Sequence, residues 1–342
     1  GNGYVDDLNG MDFVYEGTHF HQNNPAGGPA DVLGHGSAVA GIIAASTDTT
    51  VPEGIASACP LCTIMPVRAG AADAIIFEDS AARAIYYAAS NGADIINMSF
   101  GGVGNSAEQD AIWYANRLGV ILVGSSGNDN KEITSTPHYP ATDPQVIAVG
   151  ALDASNDRMY LPAGTTCQSQ VTSKAGGSTW GSGLSIVAPG VNVLTTMGYN
   201  LSGYMLCLSY TCTSPSKMQI CGIAQSNSGS RSGYFYTTGT SFSAPVVSGV
   251  IGLMKSINPA LSHDEVKNIL EMTAHPVEEP TNEDGVSVTF GQGWNPYTGY
   301  GIIDAQLAVR QAYDRRPDFG ITITPGTNPI IAVDTNKVRF DV

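Results

Sequence analysis

Three short segments carry residue types that together could perform nucleophilic chemistry. In Gly34-His35-Gly36-Ser37-Ala38-Val39-Ala40-Gly41 a His opens a run of small residues. Gly124-Ser125-Ser126-Gly127-Asn128 is a polar turn directly after an apolar run, and Gly239-Thr240-Ser241-Phe242-Ser243-Ala244-Pro245 places a Ser where a helix is expected to begin. A Ser hydroxyl is a poor nucleophile at neutral pH and needs an adjacent base, most often His. A helix start adds unpaired N–H groups and partial positive charge where an oxyanion would develop. Pro245 fits a first helical turn, whose N–H groups lack intrahelical partners. The Asn128 amide can donate to a tetrahedral oxyanion. Together they suit acyl transfer, with Ser241 as nucleophile, His35 as general base and Asn128 as oxyanion donor.

The elements that must position these groups alternate along the chain. Residues 36 to 45 read as a buried helix of small and aliphatic side chains, and 79 to 90 as an Ala-rich helix ended by Asn91-Gly92. The runs 93–100, 120–124 and 145–150 read as buried strands. Ser106 with Gln109 has capping-box spacing and opens a helix to about 118, and Ser262 with Glu265 opens another to about 273. Helices over 241–256 and 304–313 complete the set. Short apolar strands alternating with helices imply an α/β fold: a doubly wound, mostly parallel sheet with helices on both faces. The Ser-, Gly- and Thr-rich stretch 155–236 reads as surface loops and short strands. Residues 1–315 form the expected main domain, and 316–342 a short β-rich tail or the start of an appended domain.

Composition narrows the class. The 342 residues are 42% apolar and only 13% charged, which suits a compact globule and excludes a disordered chain. The net charge of −15 repels phosphate, so neither nucleic acid nor an anionic membrane is an expected partner. No apolar run approaches membrane length, the longest candidate being 246–254. The six cysteines (Cys59, Cys62, Cys167, Cys207, Cys212, Cys221) form an even set, which implies disulfides and an extracellular destination. Their connectivity is open. A redox or zinc role for Cys59-Pro-Leu-Cys62 lacks a second CxxC or an HxxxH.

The motifs GHGSAVAGIIAA, SSGN and GTSFSAP resemble the His, oxyanion-hole and Ser motifs of the subtilisin-like (subtilase) family, in that family's order. The resemblance extends over about 1–313 through IMPVRA, NGADIINMSFGG, IVAPG and TGYGIIDAQLAV. It implies a secreted endopeptidase acting on proteins or peptides without a cofactor in its chemistry. It also implies that Ser99, Phe100, Gly101 and Gly102 form an edge that pairs with an extended substrate. Ser125, Ser126 and Gly127 would wall the pocket for the side chain before the scissile bond.

One departure stands out. The family's orienting Asp ends an apolar strand upstream of the His, and Asp6, Asp7 and Asp12 all lack that context. The opening GNGYVDDLNGMDFV resembles the stretch following that strand. The expectation is therefore a processed or truncated chain starting downstream of the catalytic Asp, with an upstream fragment supplying the carboxylate that fixes the His tautomer. Asn2, Tyr4 and Asp6 also match the later half of an EF-hand-like loop, a candidate structural Ca2+ site. His19 and His21 form an HxH on a polar loop. His138, His263 and His275 lie without acidic or cysteine partners at metal spacing.

Other classes fit less well. A non-catalytic subtilase-like binding protein has no physical need for His35, Asn128 and Ser241 together. A sedolisin-type acid peptidase uses Glu and Asp in place of the His. An α/β-hydrolase needs a Gly-x-Ser-x-Gly that is absent here.

Overall fold

The computed structural model describes residues 10–16, 19–20, 31, 34–47, 54–70, 76, 78–134, 138–161, 176–197, 233–277, 280, 282, 284–291 and 293–316. Along the chain these form β1 (Met11–Asp12), β2 (Tyr15–Glu16), β3 (His19–Phe20), α1 (His35–Ala44), β4 (Val67–Arg68), α2 (Glu78–Ser90), β5 (Ile95–Met98) and α3 (Ser106–Arg117). There follow β6 (Ile121–Ser125), β7 (Ile147–Leu152), β8 (Tyr160–Leu161), β9 (Gly176–Gly177), β10 (Leu184–Pro189), β11 (Val193–Met197) and β12 (Gly233–Thr237). The last helices are α4 (Thr240–Ile257), α5 (His263–Thr273) and α6 (Ala305–Asp314).

The central sheet is parallel, in the order β10-β7-β6-β5. Ile95 lies opposite Ile121, and Val123 opposite Ile147. Because side chains alternate across a strand, Ile121 and Val123 face α4 while Leu122 faces α2 and α3. The first face packs Ile147, Val149 and Ile186 against Val247, Ile251 and Met254 of α4, with Ile269 of α5 and Ala308 of α6 behind. The second packs Leu122 and Met98 against Ile85 of α2 and Ile112 of α3. Each such fully buried aliphatic chain stabilises the fold by about 1.5–3 kcal/mol relative to exposure. The α/β class with helices on both faces is as expected. A second parallel pair, β1-β4, stands apart, with Met11 opposite Val67.

Four local expectations are corrected. The cap of α3 is Asn105, whose side chain accepts from the Glu108 N–H at 2.9 Å, so Ser106 is already helical. Ser262 and Glu265 do form a full capping box. The stretch 155–236 is not all surface: within it, Leu184 to Ala188 of β10 are buried in the central sheet. Helix α4 has 18 residues and mean hydropathy 1.2, so one helix among the described residues is long and apolar enough to cross a membrane. Of its residues 67% are buried, and it serves as the core helix of one sheet face. Pro245 is the sixth residue of α4 and lies beyond its first turn.

Candidate active site

Parallel strands bring their carboxyl ends to one edge, and there the chain gathers Ser99 after β5, the turn Ser125–Asn128 after β6, and the start of α4. Thr240 is the first residue of α4, and its N–H donates to Asn128 Oδ1 at 2.9 Å. The Thr240 hydroxyl donates to the same oxygen at 3.0 Å and accepts from the Gly127 N–H at 3.1 Å. A backbone N–H can only donate, so the Asn128 atom at Thr240 must be the oxygen, and the amide nitrogen is left with both hydrogens. Among the described residues neither Asn128 Nδ2 nor the Ser241 N–H has a partner. Two free donors therefore stand at the start of α4, where Ser241 carries a half-buried side chain.

Ser241 and Ser99 are coupled. The Ser99 hydroxyl donates to the Ser241 carbonyl at 2.7 Å, and the Ser241 hydroxyl donates to the Ser99 carbonyl at 3.3 Å. Pro245 explains the first bond. It has no N–H to give residue 241 four positions earlier, and the orphaned carbonyl takes the Ser99 hydroxyl instead. Asn97 carries the link onward, donating to Ser99 Oγ at 2.9 Å and accepting from Ser248 Oγ of α4 at 2.9 Å.

His35 is the first residue of α1, reached through Gly34 at φ 86°, a left-handed turn that suits glycine. Asp31 clamps this turn, its carboxylate accepting the Gly34 N–H at 2.7 Å and the Ser37 N–H at 2.6 Å. The His35 ring lies 5.4 Å from the Phe242 ring, centroid to centroid, so the start of α1 meets the start of α4. Among the described residues no hydrogen bond joins His35 to Ser241, and no carboxylate bonds to its ring. Burial lowers the His35 pKa below the ordinary value, opposed by the nearby charge of Asp31.

Of the three upstream aspartates, Asp6 and Asp7 lie outside the described residues. Asp12 is buried and occupied: it accepts from Arg68 Nη1 and from the Val14 N–H, at 2.8 and 2.9 Å. On the far side of β5 from β6, no strand pairs with it among the described residues. Ile95 and Ile96 are only half-buried, whereas Ile121 and Leu122 beside them are fully buried. Helix α2 bridges the interval, with Tyr87 packed on β1 and β4, and Ile85 on the β5 side. Ile64 and Met65, just before β4, are each 37% exposed.

Among the expected substrate-binding residues, Gly101 is exposed and neither of its backbone groups has a partner among the described residues. Gly102 exchanges both groups with Tyr139, at 2.9 Å each, and Phe100 packs its ring on the α2–α3 core. Ser125 and Ser126 are buried, and Ser126 Oγ donates to the Thr179 carbonyl at 3.1 Å. Of that turn, Gly127 and Asn128 bond to Thr240 at the α4 start.

The candidate calcium residues Asn2, Tyr4 and Asp6, as well as His21, lie outside the described residues. Among the described residues no group of three His, Cys, Asp or Glu could hold a metal. Cys59 and Cys62 form a disulfide, and the other four cysteines lie outside the described residues. His138, His263 and His275 each meet a single acidic side chain, Asp129 at 2.8 Å, Asp264 at 3.4 Å and Asp304 at 2.6 Å. Sequence reading also missed Asp31, although three residues before Gly34 is a capping distance, and Thr240, although it sits inside the Ser motif itself.

The parallel sheet with helices on both faces, and a His, an Asn and a Ser gathered at one edge of it, define a class, that of subtilisin-like α/β proteins. The subtilase family profile matches residues 6–301, and the chain belongs to that family. It is 30% identical over 320 residues to fervidolysin of Fervidobacterium pennivorans, covering 89% of this chain and 38% of that protein. It is 31% identical over 281 residues to subtilisin BL of Lederbergia lenta, covering 82% of this chain and 79% of that protein. Among solved structures it resembles fervidolysin (TM-score 0.57, 28% identity, 82% of this chain and 36% of that one). It also resembles a Pseudoalteromonas arctica protease (TM-score 0.60, 25% identity, 91% and 88%). The chain spans between a third and three fifths of the length of the first four curated relatives.

Proposed function

We propose that this chain carries the peptidase domain of a secreted serine endopeptidase. Ser241 attacks the peptide carbonyl, His35 takes the proton and returns it to the leaving amine, and Asn128 Nδ2 with the Ser241 N–H holds the oxyanion. The observation that carries this reading is the Asn128–Thr240 pair. By spending Oδ1 on Thr240 it leaves the amide hydrogens free beside the nucleophile. The free backbone of Gly101 supports docking of an extended peptide as an added strand. The chemistry needs no cofactor, and the calcium reading of Asn2, Tyr4 and Asp6 rests on the loop sequence alone. An oxidising destination is supported by the Cys59–Cys62 disulfide.

The proposal includes a further segment bearing the orienting Asp on an apolar strand. It would seat against the unpaired edge of β5, between β5 and β4, and cover Ile95, Ile96, Ile64 and Met65. A bare strand edge with apolar neighbours is a liability that a seated strand removes. Peptide hydrolysis by active material, followed by intact-mass analysis and N-terminal sequencing, tests this. The expected result is a strand-and-Asp segment, joined to this chain or docked on it. Full activity from these 342 residues alone would overturn the segment. No hydrolysis even with the segment present would favour a binding or structural protein.

A further inference from the structure

The two glycines at the proposed substrate site, Gly101 and Gly127, face each other across an imidazole. A Cβ placed on Gly101 would lie 2.5 Å from His138 Nδ1, and one on Gly127 would lie 2.1 Å from Nε2. Both backbones therefore press on the ring, and side chains at these positions would collide with it. Gly127 also holds φ at 105°, which suits glycine alone. The ring is anchored from outside: His138 Nε2 lies 2.8 Å from Asp129 Oδ2, and the next residue, Tyr139, is bridged through its backbone to Gly102. The hydrogen bond with His138 is the main cause holding the Asp129 carboxyl below its usual range, and an ionised carboxylate can only accept, so Nε2 is the donor. That leaves Nδ1, which is buried and without a partner among the described residues. The His138 side chain is 16% exposed and Asp129, at the mouth, 40%.

We propose that His138, braced by Asp129, is a specificity-determining residue that floors the pocket for the side chain before the scissile bond, so that short side chains fit and aromatic ones do not. The inference rests on the reading above, in which the Ser99–Gly102 and Ser125–Gly127 segments flank that pocket. An imidazole occupying the slot between two bare backbones removes the depth that a phenyl ring needs.

The test uses the active material and a peptide series differing only in the residue before the cleaved bond: Ala, Ser, Leu and Phe. The native enzyme is expected to cut Ala and Ser with kcat/KM at least about tenfold above Phe. His138→Gly should raise kcat/KM for Phe relative to Ala by about tenfold or more. Asp129→Asn, which loosens the ring without removing it, should move the Phe-to-Ala ratio the same way by a smaller factor. This second variant keeps the test in force if the glycine variant does not fold. A native preference for Phe, or a ratio unmoved in both variants, overturns the role of His138 while leaving the peptidase reading intact. Absence of both Ser241 labelling and peptide cleavage overturns the peptidase reading, and this inference with it.

Discussion

Ser99 and Ser241 exchange hydrogen bonds in both directions, each hydroxyl donating to the other's carbonyl. The bond from Ser99 is short and fills the carbonyl orphaned by Pro245, whereas the bond from Ser241 is long at 3.3 Å. The end of β5 is thus fixed to the start of α4, and the proposed nucleophile is only loosely held. Its hydroxyl can leave this bond at little cost.

Ser99→Ala should therefore do two things. It leaves the Ser241 carbonyl without its donor, which costs about 1–3 kcal/mol for a buried acceptor. It also unties α4 from β5 and so slows labelling of Ser241. Urea melts and labelling rates, measured on the same preparation, check both. Unchanged stability would mean that water serves the carbonyl equally well.

Asn128→Ala should lower kcat by about 10² to 10³ with KM nearly unchanged, the pattern for a donor used only in the transition state; this magnitude was measured on a subtilisin and is taken over here. Asn128→Asp offers a sharper contrast, because it keeps the acceptor for Thr240 and removes the Nδ2 donor. Steady-state kinetics on one peptide substrate decide the matter. A loss confined to KM would place the oxyanion elsewhere.

The acid limb reports on His35. Its pKa is lowered by burial in this chain, so the unfolded state binds the proton more readily and His35 contributes stability that falls away as pH drops below about 6.5. NMR titration of the His35 ring should give a midpoint below the ordinary His value. Seating of the Asp-bearing segment should move that midpoint upward, because a carboxylate stabilises the imidazolium. A midpoint indifferent to the segment would argue that its carboxylate does not reach His35.

Much of this site was legible because its parts are local. His35, Asn128 and Ser241 each sit in a short glycine-bearing context at an element boundary, and the alternation of apolar runs sufficed for the sheet and its two helical layers. What escaped depends on chain segments folding back. His138 meets Asp129 because the loop between β6 and β7 returns to the strand ends, and no spacing rule announces that. The burial of Leu184–Ala188 is hidden by the polar composition on either side, since a short run interrupted by Ser185 is diluted in a stretch of more than about 80 residues. The cap at Asn105 was missed by one residue because Asn and Ser are both good caps and Ser106 had the Gln at the right distance. Pro245 was placed one turn too early, and its true position explains the Ser99 bond that the sequence did not suggest.

The most direct measurement of the central claim is a fluorophosphonate reaction with the native protein, followed by peptide mapping. A single adduct on Ser241 is expected, with activity lost in proportion and the reaction abolished in His35→Ala. Modification of Ser99 or Ser126 with Ser241 untouched, or equal labelling in His35→Ala, would contradict the assignment of Ser241 as nucleophile and His35 as its base.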